Sequence, residues 1–263
     1  METLQINRCG LPPWVIATPY YNNRPQPLEI QGVRHANRGL FERLAQLPTR
    51  DARGAQFNDW MDVAFQLHQW QREETKGSRK SIKNSYLRFL RGWMFDSNSV
   101  EGAVLKGWVE SRIGLSPTFH HEPIRDRHCE AYFRYTVDRM KGTARTNALF
   151  DQLDVLYEFC QDELIRTAPE QTHYTLYRGF NDMAEHHVVA EEGKKRLLVQ
   201  LNSLLSFTTD FERAWEFGTR VMRAQVPRTK IFFASDMLPS SLLKGEEEVL
   251  VIGGQYHVDI LTG

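Results

Sequence analysis

The apolar pattern of this chain changes period once, at about Pro169, and that switch limits the architectures open to it. Up to about residue 167, apolar side chains recur at steps of three and four. Phe57, Trp60, Met61, Ala64 and Leu67 form one stripe, and Leu149, Phe150, Leu153, Leu156, Phe159 and Cys160 another. Weaker stripes at 38–47, 80–94, 98–111 and 128–140 extend the helical reading over the first half. Beyond Pro169, short β-branched and aromatic runs alternate with turn residues: Tyr174–Tyr177, Leu197–Phe207, Arg220–Val226, Ile231–Phe233, Val249–Ile252 and Tyr256–Leu261. Helices first and strands afterwards predict an α+β fold, with helices at one side of a mostly antiparallel or mixed sheet, rather than a doubly wound one. The expected organisation is a mainly helical region, 1–167, packed on a β-rich core, 168–263.

Two local features complete this outline. The first 36 residues, with Pro12, Pro13, Pro25, Pro27, Asn22 and Asn23, show no sustained period and read as an irregular lead-in across the surface. Asp210 is placed to cap a short helix containing Ala214, Trp215 and Phe217, which Gly218 would end in a left-handed conformation.

Several function classes drop out. Lys plus Arg and Asp plus Glu each total 33, so the net charge is zero, against a protein built to coat nucleic acid or anionic membrane. No apolar run approaches the roughly 20 residues of a membrane span, and the N-terminal stretch, broken by Pro12 and Pro13, does not read as a secretory leader. Cys9, Cys129 and Cys160 are widely spaced, with no Cys-x-x-Cys, which fits a reducing cytoplasm. Neither G-x-x-x-x-G-K-[ST] nor G-x-G-x-x-G occurs, so the glycine-rich phosphate cradles are absent.

Other clusters are readable in two ways. His120, His121, Glu122, His128, Cys129 and Glu130 are metal-ligand types in no metal-binding spacing, and the plain reading is a polar interhelical loop. Glu185, His186 and His187 read as a helix surface. Lys76, Arg79, Lys80 and Lys83 fall on one face of a helix whose other face carries Ile82, Tyr86, Phe89, Leu90 and Trp93, with Ser78 as a candidate cap. That basic face is either solvated or a dock for an acidic protein surface.

The residues with chemical promise lie in the β half: Tyr177-Arg178-Gly179, then Leu205-Ser206-Phe207-Thr208-Thr209, then Glu246-Glu247-Glu248-Val249-Leu250. Arg178 ends an apolar strand before a glycine, where its planar donor fork can clasp a pyrophosphate or simply sit at the surface. If the strand of Val249–Ile252 extends back through Glu246, side-chain alternation puts Glu246 and Glu248 on one side, about 6 to 7 Å apart. Two carboxylates beside a buried strand are solvated, hydrogen-bonded or used. Together with an anchoring arginine they suit chemistry at an anomeric carbon, whose cationic transition state needs negative charge nearby and a second group for the proton. Ser206 can fix one glutamate rotamer, while Thr208 or Thr209 can instead help Asp210 cap its helix.

Arg178, then Ser206-x-Thr208-Thr209, then Glu246-x-Glu248, with spacings of 28 and 42 residues between Arg178, Ser206 and Glu248, resemble the R-S-E class of mono-ADP-ribosyltransferases. The helix from Asp210 to Gly218 and the strand end at Val226-Pro227 resemble it too, so the likeness covers about residues 172–263. The chain length, the helical first half and the stretches TLYRGF and SLLSFTTDFERAWEFG are similar to the branch of that class that acts on dinitrogenase reductase.

The resemblance implies an ADP-ribosyltransferase-type core with NAD⁺ as co-substrate and no metal. Arg178 would hold the pyrophosphate, the Gly179 backbone would lie close to the dinucleotide, and Glu248 would stabilise the oxocarbenium ion through the ribose 2′-hydroxyl. Glu246 would take the proton of an acceptor arginine. In the middle motif Ser206-Phe207-Thr208-Thr209 stands where Ser-Thr-Ser is more usual, so the hydroxyl beside Glu248 is Ser206 or Thr208. The segment Phe233–Gly245 would be the loop that meets the protein target, mobile when unbound. Dinitrogenase reductase is the implied target, its modification switching off nitrogen fixation, with a PII-type protein as regulator. An NAD⁺ glycohydrolase and a non-catalytic NAD⁺ or ADP-ribose sensor are the competing classes.

Overall fold

The structure, a computed structural model, describes residues 7–67, 85–144, 148–183, 185–243 and 247–262. Short helices α1 (Pro13–Ile16), α2 (Pro19–Asn23) and α3 (Val33–Ala36) lead into α4 (Arg38–Ala45), α5 (Arg50–Ala64), α6 (Tyr86–Phe95) and α7 (Val100–Arg112). A hairpin of β1 (Phe119–His120) and β2 (Glu122–Pro123) precedes α8 (Glu130–Thr143) and α9 (Leu149–Thr167). The second half comprises β3 (His173–Phe180), β4 (His187–Glu191), β5 (Arg196–Thr208), α10 (Phe211–Ala214), β6 (Arg220–Pro227), β7 (Ile231–Ala234) and β8 (Glu248–Thr262). The α+β class is as the period switch predicts, and every strand pairing observed is antiparallel. No described helix is long and apolar enough to cross a membrane.

Hydroxyl caps mark the starts of α5, α6 and α7. Thr49, Ser85 and Ser99 accept hydrogen bonds from the backbone N–H of Ala52, Leu87 and Gly102, satisfying donors with no partner inside the helix. The helix carrying Tyr86, Phe89, Leu90 and Trp93 therefore starts at Tyr86, with those four side chains buried. Ser78, Lys76, Arg79, Lys80 and Lys83 lie outside the described residues.

Helix α9 is wedged between the other helices and the sheet, and it is buried on more than its apolar stripe. Leu153, Leu156 and Phe159 are fully buried, but so are Asp154, Glu158 and Glu163. A buried carboxylate is tolerated only with a partner, and each of these has an arginine from an earlier element. Arg112 forks onto Asp154 at 2.8 and 2.9 Å, and the Trp108 indole N–H adds a third bond at 2.7 Å. Arg34 donates to Glu158 at 2.7 Å, beside the Ile30 backbone N–H at 2.6 Å. Arg53 forks onto Glu163 at 2.5 and 2.9 Å.

The sheet order is β4-β5-β3-β6-β8-β7, and β5 pairs with β8 as well. The pairings β5–β3, β3–β6, β6–β8 and β8–β5 thus form a closed circuit. Pairing of β5 with β8 runs from Thr208 opposite Glu248 to Arg196 opposite Asp259, with a register shift between Leu201 and Leu204.

Four expectations are corrected here. Val249–Ile252 and Tyr256–Leu261 are one strand, because Gly253 and Gly254 mark a close approach rather than a turn. A Cβ on Gly253 would lie 1.7 Å from the Asn202 carbonyl oxygen, at the register shift. A further edge strand, β4, occupies His187–Glu191, paired to β5. The lead-in is not a surface crossing: Ile16, Tyr21, Leu28 and Ile30 are buried, and Tyr157 donates to the Leu28 carbonyl at 2.9 Å. Gly218 ends the α10 segment in extended backbone, φ 175°, and is small because a Cβ would meet the Phe180 backbone at 2.3 Å.

The Arg53–Glu163 pair gives a stability test. Glu163→Gln strands a buried guanidinium and is expected to cost about 3 kcal/mol, read as a lower urea midpoint. The double change Arg53→Met with Glu163→Leu removes both charges and should cost clearly less.

Candidate active site

The end of β3 is shaped by Gly179. A Cβ there would lie 1.9 Å from the Ala214 carbonyl oxygen, so only glycine lets α10 and the turn at Trp215–Phe217 rest directly on the strand. Asp210 caps α10, accepting from the backbone N–H of Glu212 at 2.8 Å and Arg213 at 3.2 Å. Gly179 thus has a packing reason for being glycine besides its place in the cleft wall.

Arg178 is a strut rather than a surface arginine. Its Nη1 donates to the Ser206 carbonyl at 3.0 Å and its Nη2 to Glu185 at 3.1 Å. Its Nε is buried with no hydrogen-bond partner among the described residues. An orphaned guanidinium donor in a cleft wall is the kind of group an anionic ligand satisfies.

Strand register brings the second and third motifs together. Tyr177 lies opposite Thr208, Thr208 opposite Glu248, and Ser206 opposite Leu250, which makes Ser206 and Glu248 diagonal neighbours. The Ser206 hydroxyl donates to Glu248 Oε1 and accepts from the Trp93 indole N–H at 2.9 Å. Thr208 Oγ1 instead accepts from the Asp210 backbone N–H at 3.1 Å, helping the chain turn into α10. Of the two hydroxyls left open by the sequence, Ser206 is the one bonded to Glu248.

The alternation argument for Glu246 does not hold. Strand β8 begins at Glu248, and Glu247 has φ +54°, in the left-handed region that breaks strand alternation. Glu246 itself lies outside the described residues. The segment before it also differs from a free loop as far as Leu243. Met237, Leu238 and Leu243 are buried, Arg91 donates twice to the Leu242 carbonyl, and Asp236 pairs with Arg50.

Arg178, Gly179, Ser206, Thr208 and Glu248 all line one cleft of about 400 Å³. The wall facing the sheet comes from the helical half: Trp93, Met94, Phe95, Asp96 and Ser97 at the end of α6. Phe95 is 95% exposed and Phe217, also in the wall, 55%. Sequence reading had no place for this wall, since Trp93 looks like one more member of an apolar stripe. The available signal was Phe95, an apolar side chain off the buried face of α6.

Burial lowers the pKa of three basic groups near the cleft. Lys106, buried under Trp93 with its ammonium 5.9 Å from the ring centroid, is pushed down to about 7 by desolvation. It donates to Asn98 at 3.2 Å and the Phe119 carbonyl at 3.0 Å. Burial first, then the Lys106 charge, lowers His120 to about 4. Burial, then the charge of Arg178, lowers His186 to about 3. His120 is therefore not part of a polar loop, and His186 is not on a helix surface but buried near Phe180 just before β4. His120, His121 and Asp138 bring ligand-type atoms within 4.8 Å of one another. A dication there would share Asp138 with Lys141, at 3.0 Å, and lie beside the Lys106 ammonium, 3.5 Å from His120 Nδ1.

The family model described as dinitrogenase reductase ADP-ribosyltransferase (DRAT) matches residues 6–260 of the chain. A Rhodospirillum rubrum protein named NAD(+)--dinitrogen-reductase ADP-D-ribosyltransferase is 42% identical over 256 residues, 96% of this chain and 93% of its own length. No solved structure matches the chain.

The buried histidines give a pH test. Both have folded-state values below the ordinary 6.5, so the unfolded chain binds more protons as pH falls through that value. The stability they contribute is complete above about pH 6.5 and is lost toward pH 4, by up to about 1.4 kcal/mol per pH unit for each histidine. Urea unfolding between pH 7 and 4 should show this slope, and His186→Gln should reduce it.

Proposed function

Since the chain belongs to the dinitrogenase reductase ADP-ribosyltransferase family, we propose that it transfers ADP-ribose from NAD⁺ to an arginine of dinitrogenase reductase, with Glu248 at the reacting carbon. The observation that supports the assignment of residues is the meeting of Arg178, Ser206 and Glu248 in one cleft. NAD⁺ supplies the glycosidic bond that is broken and the ADP-ribose that is moved.

Each residue then has a task that its chemistry allows. Arg178 holds the pyrophosphate with its donor fork, exchanging its contact to the half-exposed Glu185 for the phosphate oxygens. The Gly179 backbone and the Thr208 hydroxyl border the dinucleotide. Glu248 places negative charge beside the ribose, through its 2′-hydroxyl, as positive charge grows at C1′ and nicotinamide leaves. Ser206 holds the Glu248 carboxylate in one rotamer. Glu246 accepts the proton that the acceptor guanidinium must lose, since at a pKa above about 12 that group is a poor nucleophile until positioned and deprotonated. The helical region, with Lys76, Arg79, Lys80 and Lys83, takes part in docking the target or a PII-type regulator. Modification by this route switches nitrogen fixation off.

The test is incubation with radiolabelled NAD⁺ and purified dinitrogenase reductase, scoring label on the target and free nicotinamide. Label on an arginine is expected, with a loss of about 100- to 1,000-fold for Glu248→Gln. Nicotinamide without label would make the protein a glycohydrolase, and a fully active Glu248→Gln would refute the assignment of that residue. Glu246→Gln should abolish labelling while sparing nicotinamide release. Lys80→Glu with Lys83→Glu should weaken labelling alone; equal loss of both products would exclude the docking role.

A further inference from the structure

The cleft holds one polar contact that none of the three motifs accounts for. Trp93, the last buried residue of the α6 apolar face, is only 2% exposed, yet its indole N–H points at the Ser206 hydroxyl, 2.9 Å away. An indole N–H can only donate, and a serine hydroxyl carries a single proton. Because Trp93 occupies an acceptor position of Ser206 Oγ, the serine proton is directed to the other neighbour, Glu248 Oε1. Removing the indole donor would free the hydroxyl to rotate and to donate elsewhere. The ring itself has little freedom. It is packed in the core, and the Lys106 ammonium lies 5.9 Å from its centroid, held by Asn98 and the Phe119 carbonyl.

We infer that Trp93 is a positioning residue for the catalytic carboxylate: its N–H orients the Ser206 hydroxyl, which in turn fixes Glu248 for the glycosidic step. The inference rests on the proposed reading of Glu248. It assigns to the helical half a part in positioning the catalytic carboxylate, distinct from docking the target. The line of contact runs from Trp93 on α6 through Ser206 on β5 to Glu248 on β8, three elements separated by more than 100 residues at the first step and 42 at the second. A charge developing at the ribose is stabilised better by a carboxylate already in place, because a mobile one must reorganise during the step.

The experiment uses the full chain and measures nicotinamide release and target labelling for Trp93→Phe, Ser206→Ala, the double variant and Glu248→Gln. Trp93→Phe keeps an aromatic ring in the pocket and removes the donor. It is expected to lower kcat about tenfold with the KM for NAD⁺ within about twofold, since an interaction made for the transition state moves kcat rather than substrate binding. The acid limb of the rate profile should move to higher pH in Trp93→Phe and in Ser206→Ala alike, because a lost hydrogen bond to the ionised carboxylate favours its neutral form. If Trp93 acts through Ser206, adding Trp93→Phe to Ser206→Ala should cost nothing more.

Additive losses, or a Trp93→Phe variant with unchanged kcat and profile, would overturn the inference. If Trp93→Phe fails to fold, by circular dichroism and thermal melting, β-(3-benzothienyl)alanine at position 93 keeps the indole shape without its N–H, and the same outcomes apply. Glu248→Gln separates the two levels. Full activity in that variant would sink the reading of the site, whereas an inactive Glu248→Gln beside an unaffected Trp93→Phe would sink only the role of Trp93.

Discussion

The antiparallel pairing of β5 with β8 is the constraint on which the site depends. Thr208 opposite Glu248 sets the register, and that register makes Ser206 the diagonal neighbour of the glutamate. A slip of one residue would turn the serine and the glutamate to opposite faces of the sheet. The glycine pair at 253–254 and the register shift at Leu201–Leu204 let the two long strands stay paired along their length, so the register at the cleft end is carried by the whole ladder.

Behind this sheet stands α9, which joins the helical half to the β half by polar means as well as apolar ones. Its carboxylates at 154, 158 and 163 meet arginines 112, 34 and 53, drawn from α7, α3 and α5. On its other side Gln161 donates to the Ile231 carbonyl at 2.7 Å, and Trp108, which bonds Asp154, packs on Phe232 with centroids 4.8 Å apart. Buried ion pairs contribute little net stability compared with apolar packing, but they penalise every arrangement in which a partner is missing. Here they fix α9 relative to α3, α5 and α7, while the Tyr86 backbone N–H at the start of α6 donates to Gln152 of α9 at 2.9 Å.

Much of the fold was legible because its elements are amphipathic. The stripe from Phe57 is helical as far as Ala64, with Leu67 in the turn beyond it, Leu149–Cys160 is helical throughout, and the runs at 174–177, 197–207, 220–226 and 231–233 are strands. Errors fell where one residue type serves two purposes. Gly253 and Gly254 read as a turn, but they mark close backbone approach inside a strand. The prolines of the lead-in read as surface, yet Ile16, Tyr21, Leu28 and Ile30 fill the core. His186 read as polar surface, and burial makes it a neutral core group.

For the candidate site, the linear chain determined the order and spacing of Arg178, Ser206 and Glu248, the α-then-β division, and the chemistry these residue types allow. Those properties are local: they depend on side-chain identity and on the period of an element with itself. The fold decided that Ser206 rather than Thr208 meets Glu248, that Glu247 breaks the alternation assumed for Glu246, and that Arg178 also ties β3 to β5. It also decided that a tryptophan from the helical half completes the network. Each of these is a question of hydrogen-bond partner, which depends on strand register and on which distant elements pack together. An apolar stripe states that Trp93 is buried, but only the packing of α6 on β5 states where its one polar atom ends.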